Sequence, residues 1–533
     1  MFQRAWIGAA VVGVGFALAA GSPTADAAKQ QGGTLRVDLF SDVDYTDPAL
    51  DYSALGWEIE YATCLKLLNY PDVNGPKGSL LVPEAATALP KVSNGGKRYD
   101  FTVEVTNTRF APSGARVTAA NFKAAFDRNA DRTMHSPAIQ FMDDVVGADQ
   151  SPVSGVRVRG KHLIVDLERP SPDFLARVAM PFFCAIPRNL PRDPNGVLAP
   201  PSAGPYYVAD RIPNRTIAIK KNPYYKGKRP HNLAEILYTV GNSQEAIRLR
   251  VEHGDSDYAA GGVPAPAYGD LAQKYGVNKS QFHVRPRLNV FYFAFNNDRP
   301  IFNGNLRLRK AINFAIDRKA ILAQNGYLAG KRTDQILPPG MAGFKDADLY
   351  PLKAPNLKAA KNWANGATRG GKLVYYSFNT AAAAAIAQIF SFNVKQIGLE
   401  TEVHQFAGSV LFEKVATRGE PYDVVLAGWT ADYADPYDFM DVLLNGKNIL
   451  PSNNSNISYF NSPAFNRKLD AAARTRGARR YSTYGALDID ISKNGAPWAA
   501  YSNFNTRIFV SKRVGCFTTS PSYQVNLAAL CLK

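Results

Sequence analysis

Apolar and polar positions along this chain follow two periods, and the change from one to the other marks its elements. Residues 34–37, behind the Gly32-Gly33 pair, read as a first strand. Asp47-Pro48-Ala49-Leu50 reads as a turn into a helix over about 53–68. Strict alternation over 99–105 predicts a half-buried strand. Thr118 is a good N-cap for a helix reaching Asn129, with Phe122 and Phe126 on one face. A hairpin is expected over 156–167, turning at Gly160-Lys161, and 217–220 alternates again. Residues 290–295 form a dense aromatic strand. Leu308, Ile312, Ala315, Ile316 and Ile321 mark one long helix. A strand over 372–376, a helix over 381–396 stopped by Gly398, and a strand from Thr401 complete the series. Helices and strands alternate, so the fold is mixed α/β. There is no internal repeat and no low-complexity linker.

The front of the chain changes this picture. Arg4, an apolar run over 7–20, the breakers Gly21-Ser22-Pro23, and Ala25-Asp26-Ala27 form the pattern of a secretory leader, with cleavage expected after Ala27. The run is short for a bilayer span, which needs about 20 residues. No Cys stands at the cut, so no lipid anchor is expected there. The remaining chain is too long for one core and should divide into two or three lobes. Apolar residues at 46% and aromatics at 11% place it among globular proteins. The net charge of +17 is dispersed. Its densest cluster, from Lys220 to Arg229, is broken by Asn222-Pro223-Tyr224-Tyr225 and reads as solvated surface, so no nucleic-acid partner is expected. Four cysteines are present, and export permits disulfides. Cys516 and Cys531 lie close together and form the expected pair, which leaves Cys64 with Cys184; buried free thiols are the alternative.

The candidate chemistry centres on residues 428–436. Gly428-Trp429-Thr430-Ala431-Asp432-Tyr433 follows an apolar run, 424–427, that reads as a buried strand end. Strand ends are where α/β proteins place binding residues. A desolvated carboxylate beside an indole can neutralise and orient a ligand ammonium; the competing reading is a turn whose Asp caps the next helix. Other chemistries find little support. No GxSxG or SxxK set points to a hydrolase. The six histidines are scattered, without HExxH spacing, and no cofactor is expected. Gly366 to Gly371-Lys372 has phosphate-loop spacing, but Leu373 replaces the needed hydroxyl and a strand follows.

The chain resembles the large extracytoplasmic solute-binding proteins of peptide-type ABC importers, the group with dipeptide, oligopeptide and nickel receptors. The resemblance rests on blocks in order: residues 81–86; 99–105 with Arg109-Phe110-Ala111 and 117–122; Ser202-Ala203-Gly204-Pro205-Tyr206 with 221–225; Phe295-Asn296-Asn297 with 308–318; and 396–399 ahead of Trp429. Asn121, Ala203, Phe110 and Ser113-Gly114 depart from the family pattern at positions that read as structural. The resemblance implies a two-lobed, periplasmic-binding-protein-like fold (type II, cluster C) with a hinge and an extra inserted domain. The first lobe would comprise 33–72, 193–288 and 501–533, the inserted domain 73–192, and the second lobe 289–500. The hinge would cross near Val290 and near Tyr501. It also implies binding without catalysis: a short peptide or amine-bearing analogue is captured and delivered to an ABC permease by a periplasmic or secreted monomer. A metal chelate, opine or oligosaccharide ligand is the alternative, and a secreted hydrolase a weaker one. Asp432 would hold the amine, Trp429 line the slot, Gly428 admit a backbone, and Thr430 and Tyr433 stand beside them. Tyr45, Asp44 and Tyr501 are further candidates at expected strand ends. For Tyr501 the competing reading is a packed core tyrosine, and for Asp44 a solvated loop. Arg309 and Asp317 read as a structural charge network, and Trp57 and Trp363 as packing.

Overall fold

The computed structural model describes residues 31–520 and 522–533; the leader and the expected cut after Ala27 lie outside the described residues. Three sheets carry the fold. The first runs in the order Tyr258–Ala260, Thr34–Leu39, Glu235–Val240, Thr216–Lys221, Tyr206–Ile212. Thr34–Leu39 is parallel to both of its neighbours. Leu35, Val37 and Leu39 bury one face of that strand in a core that includes Ile59 and Ala62 of the helix Ala54–Thr63. This helix stops short of the expected residue 68. Cys64 is already extended (φ −76°, ψ 140°), and Gly204 lies against the Thr63–Cys64 carbonyls with no room for a Cβ.

The second sheet is an antiparallel set of four: Lys91–Ser93, Arg98–Thr102, His162–Asp166 and Val156–Arg159. The helix Ala119–Asn129 packs Phe122 and Phe126 into the same core as Tyr99 and Phe101. Its Thr118 cap forms a capping box with Asn121, whose Oδ1 accepts from the Thr118 N–H at 2.9 Å. The amide thus does the work of the acid at this departure from the family pattern.

The third sheet has the order Phe282–Pro286, Trp498–Phe509, Asn289–Phe295, Val424–Thr430, Lys372–Phe378, Glu400–Phe406, with Gly330–Arg332 added to Trp498–Phe509. Asn289–Phe295 is buried on both faces. Val290, Tyr292 and Ala294 enter one core and Phe293 and Phe295 another, which is why its sequence is continuously apolar rather than alternating. The glycines before Lys372 form a turn into a strand, as expected, and no helix follows. Two segments link this sheet to the first: the chain running from Ala260 into Phe282–Pro286, and the long strand Trp498–Phe509, which pairs with Asn289–Phe295, then with Phe282–Pro286, before Val510 bridges Tyr258.

The long helix expected over 308–321 is two helices, Leu306–Ala315 and Arg318–Ala323. Ile316 is extended, and Asp317 caps the second helix, accepting from Ala320 N at 2.9 Å. The break turns Arg318 inward, where its guanidinium donates to the carbonyls of Thr333, Ala500, Asn313 and Pro351. Arg309 likewise donates to the Gly495 and Phe302 carbonyls. Arg309 and Asp317, read as a charge network, satisfy backbone groups instead. Arg229, read with the solvated cluster, is an internal residue paired with Asp72 and Glu84. Cys64 pairs with Cys184 (Cα–Cα 5.6 Å) and Cys516 with Cys531 (5.4 Å).

Candidate functional site

The strand Val424–Thr430 lies between Asn289–Phe295, antiparallel, and Lys372–Phe378, parallel. Its first four residues are buried, and Gly428, Trp429 and Thr430 are half-buried as the strand emerges from the sheet. Gly428 does not open onto a ligand backbone: the Phe291 ring occupies the space a Cβ would need. Trp429 is fixed by Asp438, in the first turn of the helix Tyr437–Leu444. The Asp438 Oδ2 accepts from the indole Nε1 at 3.1 Å and from the Asp432 backbone N–H at 3.0 Å. One buried carboxylate therefore orients both the indole and the loop.

The Asp432 side chain points to the segment that precedes the helix Ala54–Thr63. Its Oδ1 accepts from the Tyr52 hydroxyl at 2.7 Å, a contact between residues 380 apart in sequence. Burial pushes the Asp432 carboxyl up to about 7, with the Tyr52 hydroxyl acting the other way. Asp438 is raised well above the usual carboxylate range, chiefly by burial and then by the Asp432 charge. Tyr52 is 43% exposed and heads an aromatic group: Trp57 lies 5.8 Å, Phe141 5.9 Å and Phe182 6.0 Å from its ring. Trp57, read as packing, backs this tyrosine and donates to the Asp51 carbonyl.

Beside this contact is a cavity of about 350 Å³. Trp429, Asp432, Tyr433 and Asp438 line one side, and Phe141, Asp144, Asp173 and Arg177 another. Arg177 bridges Asp144 by two bonds of 2.8 Å and Asp173 at 2.9 Å, all buried. Burial opposes the Asp144 charge, but Arg177 and Ser171 overcome it and hold that carboxyl below its ordinary value. Tyr433 is 2% exposed and its hydroxyl donates to Asp173 at 3.3 Å. Tyr433 thus joins the two sides more than it faces open space. Arg169 and Lys447 also line the cavity, so both signs of charge are present.

The other candidates lie elsewhere. Tyr501 is 2% exposed, packed 5.5 Å from Phe293 and 6.3 Å from Phe504 in the core of the third sheet. Tyr45 packs with Ala49, Leu50 and Met134. Asp44 is exposed, and its carbonyl accepts from Arg211. None of these three lines the cavity with Asp432. Sequence reasoning missed Tyr52, Asp438, Asp173 and Arg177. Only Tyr52 carries a local signal, an aromatic directly before the helix N-cap Ser53.

Residues 81–450 match the model for bacterial extracellular solute-binding proteins, family 5 Middle. The chain belongs to this family. Among its similar proteins is the probable D,D-dipeptide-binding periplasmic protein DdpA of Escherichia coli K12, 26% identical over 518 residues, 95% of each chain. Two solved structures share the fold. They are clavulanic acid biosynthesis oligopeptide binding protein 2 (TM-score 0.87, 21% identity, 94% of this chain and 96% of that one) and AgaA in complex with agropinic acid from A.tumefacien R10 (TM-score 0.72, 23% identity, 94% and 99%). The family 5 match includes Trp429, Asp432 and Asp438 and leaves out Tyr52, which comes from the first sheet's side of the cleft.

Proposed function

We propose that this family 5 protein captures a small amine-bearing solute, a short peptide or an analogue of one, between its lobes and delivers it to an ABC-transporter permease without chemical change. The observation that carries the reading is Asp432: a partly desolvated carboxylate at a strand end, its backbone fixed by Asp438, already accepting a hydrogen bond from across the cleft. Such a group is matched by an ammonium, which supplies charge as well as donors. Arg169 and Lys447 in the same cavity suit a ligand that also carries a carboxylate. The D,D-dipeptide for which DdpA is named has both ends.

The lobes proposed are those that the family resemblance implies. The first would be 33–72, 193–288 and 501–533, the inserted domain 73–192, and the second lobe 289–500. Export behind a cleaved leader to the periplasm, without a lipid anchor and as a monomer, accords with this role. Agropinic acid, bound by AgaA, keeps an opine as the second reading, favoured by the same mixed charges.

The test is native mass spectrometry of the protein purified without denaturation, beside Asp432→Asn, followed by titration with dipeptides and their N-acetylated forms. Loss of the amine–carboxylate contact should weaken binding by about 2 kcal/mol, roughly thirtyfold, and the variant should no longer distinguish free from acetylated peptide. A tightly bound adduct that lacks an amine and survives the substitution would sink the amine-anchor role.

A further inference from the structure

A second cavity, of about 460 Å³, lies where the chain crosses between the first and third sheets. It shares no lining residue with the cavity at Asp432. Arg285 and Arg287 come from the crossing segment at the end of Phe282–Pro286, and Lys331 from the short strand Gly330–Arg332. Both strands pair with Trp498–Phe509, the other crossing segment, at Asn505–Phe509 and Ser502–Phe504 respectively. Gly75 and Thr519 complete the wall. No Asp or Glu lines it.

The buried guanidinium groups among the described residues have ion pairs or carbonyl partners, although Arg177 and Arg211 each keep an Nε without a hydrogen bond. Arg177 has Asp144 and Asp173, Arg480 has Asp435, and Arg128 has Asp47; Arg318 and Arg309 have backbone carbonyls. Arg287, which is half-buried, has no such partner. Its guanidinium makes no hydrogen bond to any described residue, and its Nε is enclosed without a partner. Neither Arg285, Arg287 nor Lys331 has an ion pair among the described residues. Burial holds the Arg287 guanidinium below its ordinary value, against a weaker opposing pull from Glu58. Glu58 is itself pushed up to about 8 by burial, so it is mostly protonated at neutral pH and supplies little countercharge. His283, on the same strand, is held down to about 4, first by burial and then by the Arg285 and Lys533 charges. A buried charge without a partner is costly, and native proteins pair it with an opposite charge or an ion.

We propose that this hinge cavity binds a free small oxyanion of phosphate type, with Arg287 as its principal ligand and Arg285 and Lys331 beside it. The planar, multi-donor guanidinium suits an oxyanion. Lys331 also borders a neighbouring hollow of about 720 Å³ with Lys319, Arg332 and Lys353 against the single acid Asp348. That basic rim would raise the local anion concentration at the entrance. An anion held here would neutralise three like charges gathered on two strands that both pair with Trp498–Phe509.

The experiment is thermal unfolding of the ligand-free protein in inorganic phosphate, with chloride exchanged to keep ionic strength constant, for wild type, Arg287→Gln and Lys331→Gln. Wild type should show a saturable rise in melting temperature. Both variants should bind phosphate at least about tenfold more weakly, and Arg287→Gln should melt no lower than wild type in chloride alone. Lys331 is exposed, so its variant keeps the test intact should Arg287→Gln fail to fold. A shift that does not saturate, or that is equal in wild type and the Lys331 variant, is the general salting effect of phosphate and overturns the site. So does no shift at all. No peptide is used, so the outcome is independent of the amine-anchor reading.

Discussion

A carboxylate serves a cationic ligand only while it is ionised, and burial makes ionisation of Asp432 unfavourable until about pH 7. Its ordinary value lies near 4. Between those values the native state holds a proton that the unfolded chain has released, so this group's contribution to stability falls as pH rises. Asp488, also pushed up to about 7 by burial, acts in the same direction. The ligand-free protein should therefore melt at a lower temperature at pH 8 than at pH 5.5, and Asp432→Asn should reduce the difference. Binding of an amine requires the charged form. Affinity should rise by up to about tenfold per pH unit below 7 and level off above it. Calorimetric titration at pH 5.5, 7 and 8 checks this, and a pH-independent affinity would remove Asp432 from the contact.

At the level of elements, the site depends on a strand that ends abruptly and on a helix that starts there. Asp438 ties the two together through the Trp429 indole and the Asp432 N–H. Asp438→Ala should free the loop and weaken amine binding through lost positioning, while denaturant unfolding changes less. The break at 316–317 is the clearest departure from the sequence pattern. Residues 308–321 have helical apolar spacing throughout, but buried carbonyls around Arg318 offer more than one added turn would. Asp317→Ala removes the cap of the second helix and should cost about 1 kcal/mol, read as a lower urea midpoint. The strands over 217–220, 290–295 and 372–376 and the helix from Ala119 were legible because each pattern is local and each has one dominant apolar set.

For the whole molecule, closure and covalent ties decide behaviour. Tyr52→Phe deletes a hydrogen bond that spans the cleft, worth about 1 kcal/mol. Small-angle scattering of the ligand-free variant should show a larger radius of gyration than wild type, and saturating ligand should erase the difference. The Cys64–Cys184 bond closes 120 residues and Cys516–Cys531 only 15. On a chain-entropy view the long loop is worth about 4.7 kcal/mol and the short one about 3. Replacing Cys64 and Cys184 by Ser should thus lower the melting temperature more than replacing Cys516 and Cys531.

The sequence by itself determined the α/β character, most strand and helix positions, the family blocks and the Trp429–Asp432 motif. These follow from residues within a few positions of one another, where periodicity and turn chemistry act. Only the tertiary structure decided what stands around that motif. Tyr52 meets Asp432 across 380 residues, Tyr433 meets Asp173 across 260, and the unpaired Arg287 comes to face Lys331 in the hinge cavity. It also withdrew Tyr501 into a core and left Tyr45 and Asp44 outside the cavity lining. Burial and charge pairing depend on which distant segments share one space, and no local pattern in the chain encodes that neighbourhood.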